Sequence, residues 1–202
     1  MNKIKICGVT QLSDALLCAN LKVDFIGFIF YKPSPRFIEV KKAKSICDAL
    51  AKYPINKVGV FVDEEHSKVN QIVKELKLEY VQLHGNESPS FINKISCKTI
   101  KAFSIENVAN NSYTSYNANY FLFDTFDKEL HGGTGKTFNW DLLSEIEKRE
   151  DIILSGGLTL GNINRAIKES NTTFFDICSG VEQAPGIKDV KKLQTIVRLI
   201  KL

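Results

Sequence analysis

The sequence has no C-x-x-C, and its cysteines are odd in number: Cys7, Cys18, Cys47, Cys97 and Cys178. In a chain of 202 residues that pattern argues against a disulfide framework or a structural zinc site, and it fits a reducing, cytoplasmic setting. The opening "MNKIKICGVT" lacks the long apolar core of a secretory signal. No apolar run approaches the roughly 18 residues of a membrane span, so no membrane partner is expected. There is no H-E-x-x-H, and at most one histidine stands at any candidate strand end, so a metal centre is unsupported. The 27 Lys and Arg against 23 Asp and Glu give a net charge of +4 without the concentrated basic stripe of a nucleic-acid binder. That mild excess suits a small anionic molecule. No Pro/Gly/Ser linker or composition shift divides the chain, so one domain is expected over residues 1–202.

"GGTGKT" also falls short of what it first suggests. A phosphate loop needs G-x-x-x-x-G-K-[ST], and the position of the first glycine holds Leu130. Nucleotide hydrolysis is therefore not expected. The glycines at 132–135 read either as a mobile lid or as a plain long loop.

What is present is apolar material for a sizeable core, 44% of residues, arranged in one repeating theme. Short runs rich in Val, Ile and Phe recur: "IKICGV", "DFIGFIF", "KVGVFV", "YVQLHG", "TIKAFSI", "YFLFDTF", "IILSGG" and "FFDICSGV". Stretches of helical spacing alternate with them. "LSDALLCANL" places Leu12, Leu16 and Ala19 on one face, and "DVKKLQTIVRLIKL" places Val190, Leu193, Ile196, Val197 and Ile200 in a stripe. "KKAKSICDALAKY", "EHSKVNQIVKELK", "DLLSEIEKR" and "NINRAIKES" behave similarly, with His66 on a helix surface. "SPSFINKIS" is short, and "NVANNSYTSYNAN" is too polar and Asn-rich for a regular helix. Eight strand–helix alternations predict parallel βαβ units, closed as a compact (β/α)8 TIM barrel; an open doubly wound sheet is the alternative.

Barrels carry function at the C-terminal ends of their strands. Here polar and glycine residues collect at those ends: Cys7-Gly8, Arg36, Asp63, Gln82, His84-Gly85, Asp124, Ser155-Gly156-Gly157 and Ser179-Gly180. Gly156, Gly157, Ser179 and Gly180 fall in the loops after the seventh and eighth strands, where barrels often bind phosphate. Asp124 closes a strongly apolar run with no helical pattern directly after it. A carboxyl at such a mouth serves as a general acid, whereas a capping aspartate is the plainer reading. Arg36 follows two prolines that stiffen its loop, either as a fork for a carboxylate or as a solvated arginine. His84 reads equally as a ligand contact or as a satisfied rim histidine. Cys7 is either a small buried hydrophobe or a thiol pointed into a site.

The pieces "KICGVT", "SPR", "VGVFV", "QLHG", "LFDT", "GGTGKTFNW", "LSGGL", "SGVE" and "PGIKD" lie in this order between residues 5 and 189. Together they resemble the phosphoribosylanthranilate isomerase family of tryptophan biosynthesis. The resemblance implies a (β/α)8 barrel that needs no cofactor and no metal. It implies an Amadori rearrangement of N-(5-phosphoribosyl)anthranilate to 1-(2-carboxyphenylamino)-1-deoxyribulose 5-phosphate. Matched motif by motif, the catalytic cysteine is Cys7 and the catalytic aspartate is Asp124. The arginine for the anthranilate carboxylate is Arg36, and the phosphate loops are Gly156, Gly157, Ser179 and Gly180. The family contains monomers and dimers, so either a monomer or a homodimer is expected, with a phosphorylated small molecule as the ligand. A related aminoaldose isomerase or a non-catalytic phosphoribosyl-binding barrel are the competing readings. The cysteine after the first strand disfavours the former, and the pairing of Cys7 with Asp124 disfavours the latter.

Overall fold

Every one of the eight apolar runs forms a strand, and the strands pair in parallel, in chain order, into a closed barrel. The structure is a computed structural model that describes residues 2–104, 112–124, 150–170 and 172–202. The strands are β1 (Lys3–Ile6), β2 (Phe25–Ile29), β3 (Asn56–Phe61), β4 (Tyr80–Leu83), β5 (Lys98–Ser104), β6 (Tyr120–Asp124), β7 (Ile152–Ser155) and β8 (Phe174–Ile177). β1 pairs with β8, with Lys5 beside Asp176 and Ile6 beside Ile177, and so closes the ring.

Alternation along each strand sends one set of side chains inward and the other toward the helices. At the N-terminal end the interior is filled by Phe25, Val58, Tyr80, Ile100, Leu122, Ile153 and Phe174. Four rings make the floor: Phe25 lies 5.1 Å from Tyr80 and 4.8 Å from Phe174, and Tyr120 stands edge-on to Phe174 at 5.3 Å. A floor of packed aromatics leaves no pore, so a ligand can enter only from the opposite end.

The helices are α1 (Leu12–Asn20), α2 (Val40–Ala49), α3 (His66–Leu76), α4 (Pro89–Ile92), α5 (Ile163–Glu169) and α6 (Val190–Lys201). In α6, Asp189 caps the first turn by accepting from the Lys192 N–H at 2.9 Å. Leu193, Ile196, Val197 and Ile200 are buried as the spacing predicts, although Val190 is exposed. Truncating a fully buried side chain such as Ile196 to alanine costs about 2–5 kcal/mol.

α1 departs from expectation. Leu12 is exposed, and the buried face is Ala15, Cys18 and Ala19 together with Asp14. The small residues bring this helix close to the barrel. Asp14 is buried because its carboxylate accepts the backbone N–H of Lys188 at 2.9 Å.

The thin fourth segment is a single turn, α4. The Asn-rich stretch contains a 3-10 turn at Ser112–Ser115, and its residues 107–111 lie outside the described residues. The expected "DLLSEIEKR" helix and the glycine-rich loop at 132–135 lie outside them too. One element was not expected at all. After a 3-10 turn at Ser179–Val181, a short antiparallel hairpin is formed by β9 (Glu182–Ala184) and β10 (Ile187–Lys188), with Pro185-Gly186 at its turn.

Candidate active site

The C-terminal ends of the strands surround a cavity of about 290 Å³ whose wall includes Arg36, Asp124, Ser155, Gly156, Gly157, Cys178 and Ser179. Residues from the loop after β2 and from the ends of β6, β7 and β8 thus meet at one mouth. Of the expected site residues, Cys7, His84 and Gly180 are not among the described residues that line it.

Arg36 is held by its loop and by a carboxylate. The Tyr31 carbonyl accepts the Ser34 N–H at 3.0 Å, and the Ser34 hydroxyl accepts the Arg36 N–H at 3.1 Å. The guanidinium lies along Glu182, with Nε 3.0 Å from both carboxylate oxygens and Nη2 2.7 Å from Oε2. Glu182 is buried and also meets Lys188 Nζ at 2.9 Å. Side-chain hydrogen bonds to Glu182 hold the Arg36 cation above its ordinary range despite partial burial. A guanidinium has five N–H groups, and the contacts with Glu182 use only Nε and Nη2.

The loops after β7 and β8 pack directly on one another. A Cβ on Gly180 would collide with the Leu158 carbonyl, so only glycine permits the approach. Gly156 and Gly157 both have positive φ, at 86° and 61°, and turn the backbone of the first loop along the cavity. The Asn162 side chain ties that loop to the start of α5, donating to the Gly157 carbonyl at 2.9 Å and accepting the Thr159 N–H at 2.7 Å.

Asp124 is partly exposed at the end of β6, and its Oδ2 lies 3.6 Å from His84 Nε2. The other ring nitrogen, Nδ1, is 2.8 Å from the Gln82 amide nitrogen. With the amide donating, Nδ1 is the acceptor and the ring proton sits on Nε2, facing Asp124. Burial pushes the His84 pKa down, and Asp124 only partly opposes it. The ring is therefore neutral at neutral pH and faces Asp124 without a formal charge. Asp63, another rim residue, belongs elsewhere: its carboxylate accepts the Asn86 N–H at 2.6 Å and fastens the loop after β4. Glu87 completes that fastening through the Asp63 and Gly85 N–H groups and through Lys101 Nζ at 2.9 Å.

Cys7 is buried one residue past β1 and only 5% exposed. The neighbouring Cys178 thiol lowers its pKa; burial opposes this, and the nearby Lys5 ammonium helps, with the balance at about 7. Lys5 is fully buried and paired with Asp176 at 3.0 Å. Burial alone would push Lys5 down, but Asp176 and Cys7 outweigh it and hold the ammonium charged. Asp176 also accepts from the Ser155 hydroxyl at 3.3 Å. The remaining cysteines are inert by contrast. Burial pushes Cys18 and Cys47 up to about 12 and Cys97 to about 11.

Lys5, Asp176, Cys178, Glu182 and Lys188 were not recognised from sequence. The signal for three of them was available: Lys5 stands two residues before Cys7 and Asp176 two before Cys178, so strand alternation puts each pair on one inward face. Among the described residues no group of three or more metal-ligating side chains comes together.

The family model described as "N-(5'phosphoribosyl)anthranilate (PRA) isomerase" matches residues 4–199. An N-(5'-phosphoribosyl)anthranilate isomerase of Pelobacter propionicus is 40% identical over 202 residues, covering 100% of this chain and 96% of that protein. The crystal structure of phosphoribosyl anthranilate isomerase from Thermotoga maritima superposes with a TM-score of 0.89 at 35% identity, covering 100% of this chain and 99% of the other. A phosphoribosyl anthranilate isomerase in complex with reduced 1-(o-carboxyphenylamino)-1-deoxyribulose 5-phosphate superposes at a TM-score of 0.85, with 32% identity over 100% and 99% of the two chains.

Proposed function

This chain belongs to the N-(5'-phosphoribosyl)anthranilate isomerase family and catalyses the Amadori rearrangement of that substrate in tryptophan biosynthesis; we propose that Asp124 and Cys7 carry its two proton transfers. The observation that supports this most is the meeting of Arg36, Asp124 and the β7 and β8 loops around one cavity, with Cys7, whose N–H bonds the Ile177 carbonyl, next to Cys178 of its wall.

The substrate carries a phosphate at one end and an aromatic carboxylate at the other. The phosphate lies against Gly156, Gly157 and Ser179, where backbone and hydroxyl donors meet an anion and Gly180 keeps the two loops in contact. Arg36 receives the carboxylate, with Glu182 fixing the direction of the guanidinium. Bound between these ends, the ribose lies beside Asp124.

Asp124 protonates the ring oxygen as general acid, the C1′–O bond breaks, and the anilino nitrogen lone pair forms the iminium. The iminium makes the C2′ proton acidic. Cys7, as thiolate, takes that proton, and the C2′–H electron pair becomes the enolamine double bond, which tautomerises to the ketone. Each such proton-transfer group contributes about 10²–10⁴-fold in rate. His84, neutral and aimed at Asp124, steers the acid rather than touching the sugar. Five cysteines without a disulfide, and no membrane-length apolar helix among the described residues, support a cytoplasmic site of action.

The direct test is to incubate the protein with phosphoribosylanthranilate and follow the loss of anthranilate-type fluorescence. Turnover that disappears in Asp124→Asn and Cys7→Ser supports these roles, and turnover that survives either change removes the role of that residue.

A further inference from the structure

Lys188 is a fully buried charged side chain on the short hairpin strand β10. Its Nζ donates to the Cys7 carbonyl at 2.6 Å, to the Cys178 carbonyl at 3.3 Å and to Glu182 Oε1 at 2.9 Å. An ammonium has three N–H donors, so these three acceptors use all of them. The backbone that carries it is fastened as well. The Lys188 N–H donates to Asp14 on α1 at 2.9 Å, and Lys192 Nζ on α6 donates to the Glu182 carbonyl at 2.9 Å. The Glu182 carboxylate that meets Lys188 is also the one that grips Arg36. One buried cation therefore touches the backbone of Cys7 directly and reaches Arg36 through a single shared carboxylate.

We propose that Lys188 is a positioning residue that sets Cys7 and Arg36 relative to one another. The proposal rests on the reading of Cys7 as the base and of Arg36 as the carboxylate ligand. Gly8 has φ of 70°, so the chain leaves the direction of β1 directly after Cys7, and the carbonyl that Lys188 holds is the one at that bend. The Cys7 side chain has little freedom of its own. A Cβ on Gly27 would lie 2.9 Å from Cys7 Sγ and 3.2 Å from Cys7 Cα, so the thiol packs directly on β2 and its place follows that of the backbone. Barrel closure is already served by the β1–β8 ladder, with four paired positions and the Cys7 N–H donating to the Ile177 carbonyl at 2.9 Å. A buried ion pair often adds little stability over apolar packing of the same volume. What distinguishes Lys188 is the place of its contacts, at the mouth of the barrel between the base and the carboxylate-binding arm.

The test removes the ammonium and reads both ends. Lys188→Met keeps most of the side-chain volume. Lys188→Met combined with Glu182→Gln removes both members of the pair, so a variant without an unpaired buried charge is at hand if the first fails to fold. Folding is checked by near-ultraviolet circular dichroism and thermal melting. In folded Lys188→Met, kcat should fall at least about tenfold, since a misplacement of about 1 Å costs up to about 10²-fold. Deuterium at C2′ should slow this enzyme measurably, because abstraction by a displaced base limits its rate. Its preference for the carboxylated product over an analogue without the carboxylate should fall about fivefold, the scale of coupling within one ion network. The double variant, measured against Glu182→Gln alone, should show the same loss of kcat and the same isotope effect. In a Cys7→Ser background, Lys188→Met should lower kcat by less than about twofold, because a residue that acts through Cys7 has nothing further to displace. A lower melting temperature with unchanged kcat and isotope response in either folded variant overturns the proposal and leaves Lys188 a structural ion pair. A loss of kcat as large in the Cys7→Ser background as in wild type overturns it too. Wild-type kcat in Cys7→Ser by itself strikes the reading of Cys7 as base, and the product preference of Lys188→Met then decides whether Lys188 sets Arg36.

Discussion

The Arg36 guanidinium lies edge-on against the Glu182 carboxylate, with Nε 3.0 Å from both oxygens and Nη2 2.7 Å from Oε2. A side chain gripped along one edge has its direction fixed, and here Arg36 lines the cavity. Recognition of a planar carboxylate benefits from this because little rotamer entropy is lost on binding. Arg36→Met should therefore weaken the carboxylated product far more than an analogue without the carboxylate, measured by fluorescence titration. Equal losses for both ligands would remove the assigned role. Glu182→Gln should give a smaller loss in the same direction, since it keeps one acceptor but no charge to hold the arginine.

Gly157 has φ of 61° and nothing within 4 Å of where a Cβ would lie. A substitution there meets backbone strain but no steric block. Asn and Asp tolerate this region better than other residues and have nearly equal volume. Gly157→Asn thus controls for strain, and Gly157→Asp adds only a negative charge beside the phosphate. KM should rise at least about tenfold more for Asp than for Asn, the scale of one uncompensated charged hydrogen-bonding partner. Indistinguishable KM values would show that phosphate does not lie against this loop.

The acid limb of the activity profile should report Cys7. Its pKa is lowered to about 7 by the neighbouring Cys178 thiol and, against burial, by Lys5. A base must be deprotonated, so the active fraction falls as pH drops below that value. kcat/KM should fall about tenfold per pH unit there and level off above it. A flat profile between pH 5.5 and pH 8 would contradict a thiolate base with this pKa.

Much of the fold and the main chemistry were legible because they are written in local patterns. Eight apolar runs and their spacing reveal a barrel, since a strand buried on both faces must be apolar throughout. Asp124 stood out because a carboxyl ends one such run. What escaped notice depends on registry between distant segments. Lys5 reads as a solvated residue of an alternating strand until Asp176, 171 positions later, is known to lie beside it. Cys178 reads as another small hydrophobe until β8 is set against β1. Glu182 and Lys188 belong to a hairpin too short to leave a periodic signal, yet they anchor Arg36 and both cysteine carbonyls. Leu12 was assigned to the wrong face of α1 because a buried Asp14, satisfied by a backbone N–H of that hairpin, shifts the helix's inward side toward small residues.

The two proton-transfer groups should fail in different ways. Asp124→Asn keeps shape and its place beside His84, but it cannot donate a proton as an acid. Cys7→Ser keeps a small polar group whose pKa lies far above a thiol's, so it is a poor base. Both changes are nearly isosteric, and both proteins should remain folded. Both should keep most of their affinity for product, because the phosphate and carboxylate contacts lie at the β7 and β8 loops and at Arg36. Both should lose at least about 10²-fold in kcat. Deuterium at C2′ then separates them. Proton abstraction limits the rate when the base is crippled, so the Cys7→Ser enzyme should slow measurably with deuterated substrate. Ring opening limits the rate when the acid is lost, so the Asp124→Asn enzyme should scarcely respond. An isotope effect in Asp124→Asn with none in Cys7→Ser would exchange the two roles. A folded Cys7→Ser enzyme with wild-type kcat would reduce Cys7 to a packed side chain beneath the cavity.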